Sequence, residues 1–281
     1  MNDAPHEDTV APPSPQALRR LRRHILGWYP KNRRDLPWRR TTDPYAILVS
    51  EIMLQQTQVS RVVPKYVEWL ASFPTLEALA EVPLEDVLRL WRGLGYNNRA
   101  RRLRECAVAA CAAATGARAA LPRDAAALRA LPGIGPYTGR AVLIFAHNDD
   151  LAAVDANVRR VLTHELHLPP DLGDRDLQEV ADAALPHGRS RDWHNALMDY
   201  GALVLTARAT GIASRTRQSS FEGSRRWYRS RLLKSLLDEG PQSVTTLAAR
   251  LGVPEPGADE LVALLERDGL VRREGSLVRV A

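Results

Sequence analysis

Apolar residues recur along the chain at three- and four-residue intervals, the spacing of one face of an α-helix. Breakers such as "YPKN", "GLGYN" and "LPPDLGD" separate the helical stretches. Strand-like alternation is absent before residue 265, so the pattern predicts a mainly α domain of many short helices. The predicted helices cover 15–30, 44–57, 58–72, 84–92, 97–115, 124–130, 138–147, 155–167, 174–185 and 191–207.

The chain changes character after the polar segment "RTRQSSFEGS". Residues 223–281 predict three helices separated by turns, followed by two short strands around "REGS". This order is typical of a winged helix-turn-helix, with "VTTLAARLG" and "ADELVALLERDG" as the helix-turn-helix pair. Winged helices bind DNA or contact proteins, and we favour DNA contact here, although the fold alone does not decide it.

The predicted domains are a helical domain over 15–222 and a winged helix-like domain over 223–281. Residues 1–14 are polar, acidic and rich in proline, and they lack the basic start and apolar core of a signal peptide. We expect them to form a disordered leader.

Basic residues are clustered as well as abundant. The formal net charge is +6. Residues 17–40 contain nine Lys/Arg and one acid, and residues 206–234 contain eight and one. Such stripes suit a polyanion such as nucleic acid. A GC-rich coding bias is the alternative, but it explains the choice of arginine and not the clustering.

The composition argues against a membrane protein or a metal centre. No apolar stretch approaches the ~20 residues of a membrane helix. Cys106 and Cys111 are the only cysteines, too few for a disulfide framework or a zinc site. We expect a reducing, cytoplasmic setting with no membrane association and no metal.

The stretch "LPGIGPYTGR", residues 131–140, places three glycines and two prolines directly before the apolar run "AVLIFA". A helix N-terminus presents unpaired N–H groups and a positive dipole end, and glycines let a ligand approach the backbone. The pattern indicates a phosphate-binding turn anchored in the core by Leu131 and Ile134. An ordinary helix–helix turn is the alternative.

Two acidic residues stand out from apolar surroundings. Asp155 in "VDANVRRVL" is placed to cap a helix, which orients a carboxylate and keeps it ionised. Glu51 in "DPYAILVSEIMLQQTQV" interrupts an apolar helix, where burial would raise its pKa and suit it to general acid catalysis. A glutamate on the polar side of an amphipathic helix is the alternative. Gln55, Gln56 and Gln58 then supply uncharged groups suited to hydrogen bonding with bases.

Five motifs occur in the order and spacing of the helix-hairpin-helix (HhH-GPD) DNA glycosylases: "PWRRTTDPYAILVSEIMLQQTQV", "LWRGLGYNNRARRL", "LPGIGPYTGRAV", "VDANVRRVL" and "HNALMDYGAL". Residues 25–205 most resemble the MutY-type adenine DNA glycosylases, because "SEIMLQQTQV" and "GLGY" favour that branch over endonuclease III. The resemblance implies a two-lobed, mainly α domain that cleaves the N-glycosidic bond of a base flipped out of the duplex.

The resemblance also implies the catalytic roles. Glu51 would protonate a purine ring nitrogen, and Asp155 would face the oxocarbenium-like sugar. Asn157 would orient this centre, and Tyr137 would pack and hydrogen-bond beside it. Tyr137 stands where bifunctional relatives carry a lysine that forms a Schiff base. A monofunctional glycosylase without strong lyase activity at abasic sites is therefore predicted.

The resemblance and the basic stripes give a set of predicted DNA contacts. They are Gln55, Gln56, Tyr96, Gly133, Gly135 and Arg39. The glutamines and the tyrosine match positions that wedge into the duplex and fill the space of the flipped nucleotide, and the glycine amides would hold a phosphate. Asp199 in "HNALMDYGAL" is predicted to be structural, closing the core against the hairpin.

Three features depart from the family pattern. The four cysteines that hold its four-iron, four-sulfur cluster correspond here to Leu205, Ile212, Arg215 and Phe221. We therefore expect no cluster, with apolar side chains filling its space. A winged helix stands where adenine enzymes have the Nudix-like domain that recognises 8-oxoguanine. Ala156 gives "VDAN", as in mismatch thymine glycosylases, where adenine enzymes usually have "VDGN".

The leading hypothesis is a monomeric, monofunctional DNA glycosylase of base excision repair, associated with the nucleoid and without a cofactor. Its expected substrate is double-stranded DNA with adenine opposite guanine or 8-oxoguanine. A glycosylase for thymine or uracil opposite guanine, or for another modified base, is the nearest alternative. A non-catalytic DNA-binding regulator is the third hypothesis, which the presence of both Glu51 and Asp155 disfavours.

Overall fold

A computed structural model of the protein describes residues 12–114, 116, 118–212 and 220–281. Most of them form α-helices, as the apolar spacing predicts. Of the predicted leader, residues 1–11 lie outside the described part of the chain, and Ser14 caps the first helix by accepting a hydrogen bond from the Ala17 amide. None of the described helices is both long and apolar enough to cross a membrane.

The helices begin and end close to their predicted bounds. These bounds are α1 Pro15–Asn32, α2 Pro44–Leu54, α3 Val59–Ser72, α4 Leu76–Glu81, α5 Leu84–Leu90, α6 Asn98–Ala112, α7 Ala125–Ala130, α8 Pro136–Val142, α9 Ala156–Glu165, α10 Asp174–Ala184, α11 Ser190–Leu203, α12 Ala207–Thr210, α13 Arg225–Glu239, α14 Val244–Leu251 and α15 Glu255–Arg267. A 3-10 helix, Pro37–Arg39, precedes α2, and a π-helical turn, Leu143–His147, continues α8.

Local sequence explains where the helices start. At α2, the Asp43 carboxylate accepts hydrogen bonds from the amides of Tyr45 and Ala46, and Pro44 occupies the first helical position. The Thr75 hydroxyl caps α4 in the same way. These caps satisfy amides that the helices leave unpaired.

Several short elements depart from the prediction, among them helix α4 and a strand of two residues. The periodicity missed α4, because six residues contain too few apolar repeats to reveal a helix. Strand β1, Gln242–Ser243, contradicts the expectation that strands occur only after residue 265. A strand of two residues is too short to show apolar–polar alternation, so β1 can be recognised only from its pairing with β3.

One compact unit contains the described parts of 1–42 and 139–215. Its core joins apolar side chains of α1, α9, α10 and α11, with Ile25, Val161 and Trp193 completely or almost completely buried. Helix α11 packs against both α1 and α9. The helix that follows Asp155 is therefore held in a dense interface.

The other unit contains the described parts of 43–138 and 216–281. Here α4 packs on α6, and the buried rings of Trp69 and Trp91 meet edge to face with centroids 5.4 Å apart. Helix α13 packs against α5 as well as against α14 and α15. The two units do not coincide with the predicted domains, since the C-terminal segment groups with 43–138.

The C-terminal segment contains an antiparallel sheet in the order β1–β3–β2. Strand β2 is Val271–Glu274 and strand β3 is Leu277–Val280. Gln242 lies opposite Val278, and Arg273 lies opposite the same residue on the other side. The order of elements from α13 to β3 agrees with the predicted order apart from β1, and the assignment as a winged helix-turn-helix stays a prediction.

Candidate functional site

Asp155 caps α9. Its Oδ1 accepts a hydrogen bond of 2.7 Å from the Val158 amide, and its Oδ2 accepts one of 3.0 Å from the side-chain amide of Asn157. The predicted cap is therefore present. Two neutral donors hold the half-buried carboxylate at the positive end of the helix dipole.

A buried arginine extends this arrangement towards α11. Arg160 donates a 2.7 Å hydrogen bond to Oδ1 of Asn157 and a 2.8 Å bond to the carbonyl oxygen of Gly201, and it also donates to the carbonyl of Leu205. Burial lowers the pKa of the Arg160 guanidinium, and the negative charge of Asp155 opposes that effect. Asn157 thus lies between the carboxylate and the guanidinium and bonds to both.

Gly201 allows α11 to approach α9 at this point. A Cβ atom on Gly201 would lie 2.9 Å from the Cβ of Asn157 and 3.1 Å from its carbonyl oxygen. Close-packed interiors cannot absorb contacts this short without movement. Sequence reasoning assigned no role to Gly201 or Arg160, although a glycine inside a helical run is a signal of close packing.

The extended segment before Asp155 is held by His194. The Ala153 amide donates a 3.0 Å hydrogen bond to Nε2 of His194, and Nδ1 of this ring lies 2.7 Å from the Ser190 carbonyl oxygen. These partners require a neutral ring that carries its proton on Nδ1. Burial lowers the pKa of His194 despite opposing effects from the Ser190 carbonyl and from the charges of Asp155 and Asp182, which agrees with the neutral form.

Glu51 lies within α2, in a run of nine buried residues, Tyr45–Met53. It is only 8% exposed, so the alternative of a glutamate on a solvent-facing side is wrong. Tyr137 is half-buried in the first turn of α8. Glu51 and Tyr137 belong to the unit that contains 43–138, whereas Asp155 and Asn157 belong to the other. The joint action of these four residues stays a prediction.

Arg99 connects the end of α2 to the loop "GLGY". Burial lowers the pKa of its guanidinium to about 10, so the group stays charged at neutral pH. Sequence reasoning missed Arg99 because it stands among other arginines in "NNRARRLRE". Its guanidinium donates hydrogen bonds of 2.6–3.1 Å to the carbonyls of Ile52, Met53, Gln55, Leu94 and Gly95 and to the hydroxyl of Thr57.

A cavity of about 920 Å³ lies beside these loops. Four of the six predicted DNA contacts line it: Gln55, Gln56, Tyr96 and Gly133. Gln56 and Tyr96 have φ angles of +55° and +48°, a left-handed conformation that is uncommon for residues other than glycine. Such backbone strain is typical of binding sites, where surrounding contacts enforce it.

The hairpin at 131–135 contains two predicted DNA contacts, Gly133 and Gly135, and only Gly133 occupies a position that requires glycine. Gly133 has a φ angle of +81°, and a Cβ there would lie 2.9 Å from the Cβ of Arg102. Ile134 is buried, as predicted, while Leu131 is half-buried. Gly135 is exposed, and a Cβ there would meet nothing within 4 Å in the described part of the chain.

Arg39 requires a correction. Its guanidinium forms two hydrogen bonds, of 2.7 and 2.9 Å, with the carboxylate of Asp199. Only 11% of the Arg39 side chain is exposed, so the predicted DNA contact gives way to a structural role. Burial would raise the pKa of Asp199, but its hydrogen bonds and charge interactions with Arg39 and Arg34 hold that pKa below its usual value.

The positions that match the family's cluster cysteines differ in their surroundings. Leu205 belongs to the core of its unit, and Ile212 is half-buried. Phe221 is 54% exposed, and the filling of the cluster space by apolar side chains stays a prediction. Arg215 lies outside the described residues. Among the residues that the structure describes, no group of His, Cys, Asp or Glu is arranged to hold a metal ion.

The fold and the motifs define a helix-hairpin-helix repair protein. The family model for the HhH-GPD superfamily base excision DNA repair protein matches residues 49–183, a range that includes Glu51, Tyr137, Asp155 and Asn157. A thermostable thymine-DNA glycosylase of known structure is 30% identical, with a TM-score of 0.63, and the match covers 70% of this chain and 94% of that one. The chain belongs to the HhH-GPD superfamily of base excision DNA repair proteins.

Curated relatives carry a more specific name. The adenine DNA glycosylase of Mycolicibacterium smegmatis is 46% identical over 188 residues, covering 66% of this chain and 63% of the relative. The adenine DNA glycosylase of Mycobacterium tuberculosis is 44% identical over 191 residues, with coverage of 66% and 62%. The chain thus spans slightly over three fifths of the length of these relatives.

Proposed function

We propose that the protein is a DNA glycosylase of base excision repair that removes a mispaired adenine from double-stranded DNA. The observation that carries this proposal is the family match over residues 49–183, which contains all four predicted catalytic residues. Two adenine DNA glycosylases with 44–46% identity support adenine as the base. A nucleoid substrate would place the enzyme in the cytoplasm, and the proposal needs only one copy of the chain.

Asp155 is proposed to stabilise the sugar cation that develops as the glycosidic bond breaks. A carboxylate can do so only if its orientation is fixed and its charge is not neutralised by a direct cation. The Val158 amide and the Asn157 side chain meet the first condition. Both donors are neutral, which meets the second.

Glu51 is proposed to protonate the departing base. Its burial in α2 supports this role, because removal from water favours the protonated form of a carboxyl group. General acid catalysis contributes ~10²–10⁴-fold to rate. We therefore expect Glu51→Gln to lose at least ~10²-fold in single-turnover cleavage. Glu68→Gln, which alters a half-exposed glutamate paired with Lys65, is the matched control.

Tyr137 is proposed to limit the reaction to base removal. A phenol cannot form the Schiff base that a lysine amine forms with the sugar aldehyde. The wild-type product should therefore break only after alkali. Tyr137→Lys should become trapped on abasic DNA by borohydride, and a Tyr137→Phe control should not. Strand cleavage by the wild type without alkali would contradict the assignment.

Thymine opposite guanine is the second candidate substrate. Two observations favour it: the 30% identity to a thymine-DNA glycosylase that this chain covers almost completely, and Ala156 beside the catalytic carboxylate. The adenine relatives are more similar in sequence, so adenine remains the proposed base.

A panel of duplexes separates these activities. Adenine opposite guanine or 8-oxoguanine and thymine or uracil opposite guanine would each be incubated with the protein and then treated with alkali. We expect cleavage at adenine that is abolished in Glu51→Gln and Asp155→Asn. Preferential cleavage at thymine would make thymine, rather than adenine, the substrate base. No cleavage of any duplex, together with equal DNA binding by wild type and Glu51→Gln, would favour the non-catalytic regulator.

A further inference from the structure

Helix α13 has an unusual distribution of charge. Its first ten residues include five basic and no acidic side chains, and its two acids, Asp238 and Glu239, stand at its last two positions. Both arrangements oppose the helix dipole, which favours acids at the N-terminus and bases at the C-terminus. The pattern is therefore not arranged for the stability of the helix itself.

Helix α15 has the opposite character. As the second helix of the predicted helix-turn-helix pair, it would be the one to enter a DNA groove. It contains four acids, and Arg267 at its end is its only base. Glu260 pairs with Arg225 at 3.1 Å, and Asp259 pairs with Arg273 at 2.8 Å. Such a helix repels phosphates, so the predicted DNA contact through this pair is not supported by its charges.

Helix α13 borders the cavity that the predicted DNA contacts line. The lining includes seven Lys/Arg residues and one acid, Asp268, which pairs with Arg229. Arg61 and Arg102 are exposed and form no ion pair with any residue in the described ranges. The Lys234 side chain, 68% exposed, pairs with Asp238, and an exposed pair of this kind can exchange its carboxylate for a phosphate at little cost.

Helix α13 also contacts Tyr96 directly. The Arg226 guanidinium lies 5.5 Å from the centre of the Tyr96 ring and donates a hydrogen bond to the phenol oxygen. Arg99 lies 5.6 Å from the same ring. The residue expected to enter the duplex therefore lies between a cation of its own unit's helix α6, Arg99, and a cation of the C-terminal segment, Arg226.

We propose that this cavity binds the phosphodiester backbone of a DNA strand, and that α13, rather than α15, is the DNA contact of the C-terminal segment. The inference rests on the proposed function, since it takes DNA as the ligand. The cationic lining, the exposed arginines and the position beside Tyr96 all match a strand that passes the separated base pair.

The test is the salt dependence of duplex binding, measured by fluorescence anisotropy with the full chain. Each lost phosphate contact lowers the slope of log Kd against log salt by ~0.9. Arg226→Gln combined with Lys234→Gln should therefore lower it by ~2. Arg267→Gln, which removes the one base of α15, should leave the slope unchanged.

A charge-conserving pair, Arg226→Lys with Lys234→Arg, should retain the wild-type slope and thereby separates lost charge from lost folding. An unchanged slope in the neutralised pair would overturn the proposal, as would a decrease in Arg267→Gln. Binding does not require catalysis, so a reduced slope in a protein that cleaves no duplex would uphold this inference while the proposed activity fails.

Discussion

Replacing Gly201 with alanine tests the packing that fixes the cap at Asp155. The added Cβ would lie 2.9 Å from the Cβ of Asn157, whereas carbon atoms in contact are ~3.5–4.0 Å apart. Asn157 or α11 must therefore move by roughly 0.6 Å or more. Asn157 bonds to Asp155 at 3.0 Å and to Arg160 at 2.7 Å. If Asn157 is the group that moves, a displacement of about 0.6 Å along either bond lengthens it to about 3.3–3.6 Å, beyond the usual range of ~2.7–3.2 Å.

The expected cost follows from overpacking and from the lost hydrogen bond. Overpacking a well-packed core costs ~1–3 kcal/mol, and the weakened bond between Asn157 and Arg160 adds ~1 kcal/mol. The free energy of unfolding should fall by ~2–4 kcal/mol, which lowers Tm by ~3–7 °C for a chain of this size. Base removal should slow by roughly 10-fold, because small misplacements of reacting groups are costly.

Thermal unfolding followed by circular dichroism and single-turnover cleavage would measure both effects. Gly27→Ala in α1 is the matched control, since it lies in the same unit and its Cβ would meet nothing within 4 Å among the described residues. That variant should gain ~0.5–1 kcal/mol from helix propensity. If Gly201→Ala unfolds and cleaves like the wild type, the close approach of α11 does not determine the position of Asn157.

The remaining predictions concern three hydrogen-bonded polar groups, Arg99, Asp199 and His194. Arg99→Lys should lower the free energy of unfolding in urea by ~2–4 kcal/mol, because one ammonium cannot satisfy the acceptors of a guanidinium; an unchanged midpoint would contradict this. Asp199→Asn should cost ~3–5 kcal/mol at pH 7 by leaving Arg39 without its carboxylate. The pKa of Asp199 is lower in the folded protein than in the unfolded chain. The stability contributed by the Asp199 carboxylate is therefore present above its unfolded pKa of about 3.9 and is lost as pH falls through its folded pKa. The Tm of the wild type should fall between pH 7 and pH 5, because the folded pKa of His194 is also lowered and the ring takes up a proton more readily in the unfolded chain. The His194→Gln variant should show a smaller fall. An equally steep fall in that variant would refute the contribution of His194 to the pH dependence.

The helices and their caps could be predicted because they depend on neighbours in sequence. Apolar spacing gave α1, α2, α9 and α11 within a few residues of their bounds. The cap at Asp155 follows from the same local chemistry, since a carboxylate before an apolar run satisfies unpaired amides. The motif order likewise identified the family, which the comparison over residues 49–183 supports.

The roles of individual arginines could not be predicted, because they depend on partners distant in sequence. Arg99 and Arg102 stand three residues apart on α6, yet one is half-buried and bonded to backbone carbonyls and the other is exposed. Arg39 belonged to a basic stripe that suggested DNA, but its partner Asp199 lies 160 residues away. Which guanidinium turns inward is decided by the packing of helices, not by local composition.

Asp155 and Asp199 show how one fold prepares two carboxylates for different work. Asp199 is fully buried and accepts hydrogen bonds directly from the guanidinium groups of Arg39 and Arg34, so its charge is neutralised and serves stability. Arg160 reaches Asp155 only through the amide of Asn157. The amide fixes the carboxylate without cancelling its charge, and a carboxylate in that condition can stabilise a sugar cation. Asn157 is therefore the residue that keeps a nearby arginine from turning the carboxylate proposed to stabilise the sugar cation into a second structural ion pair.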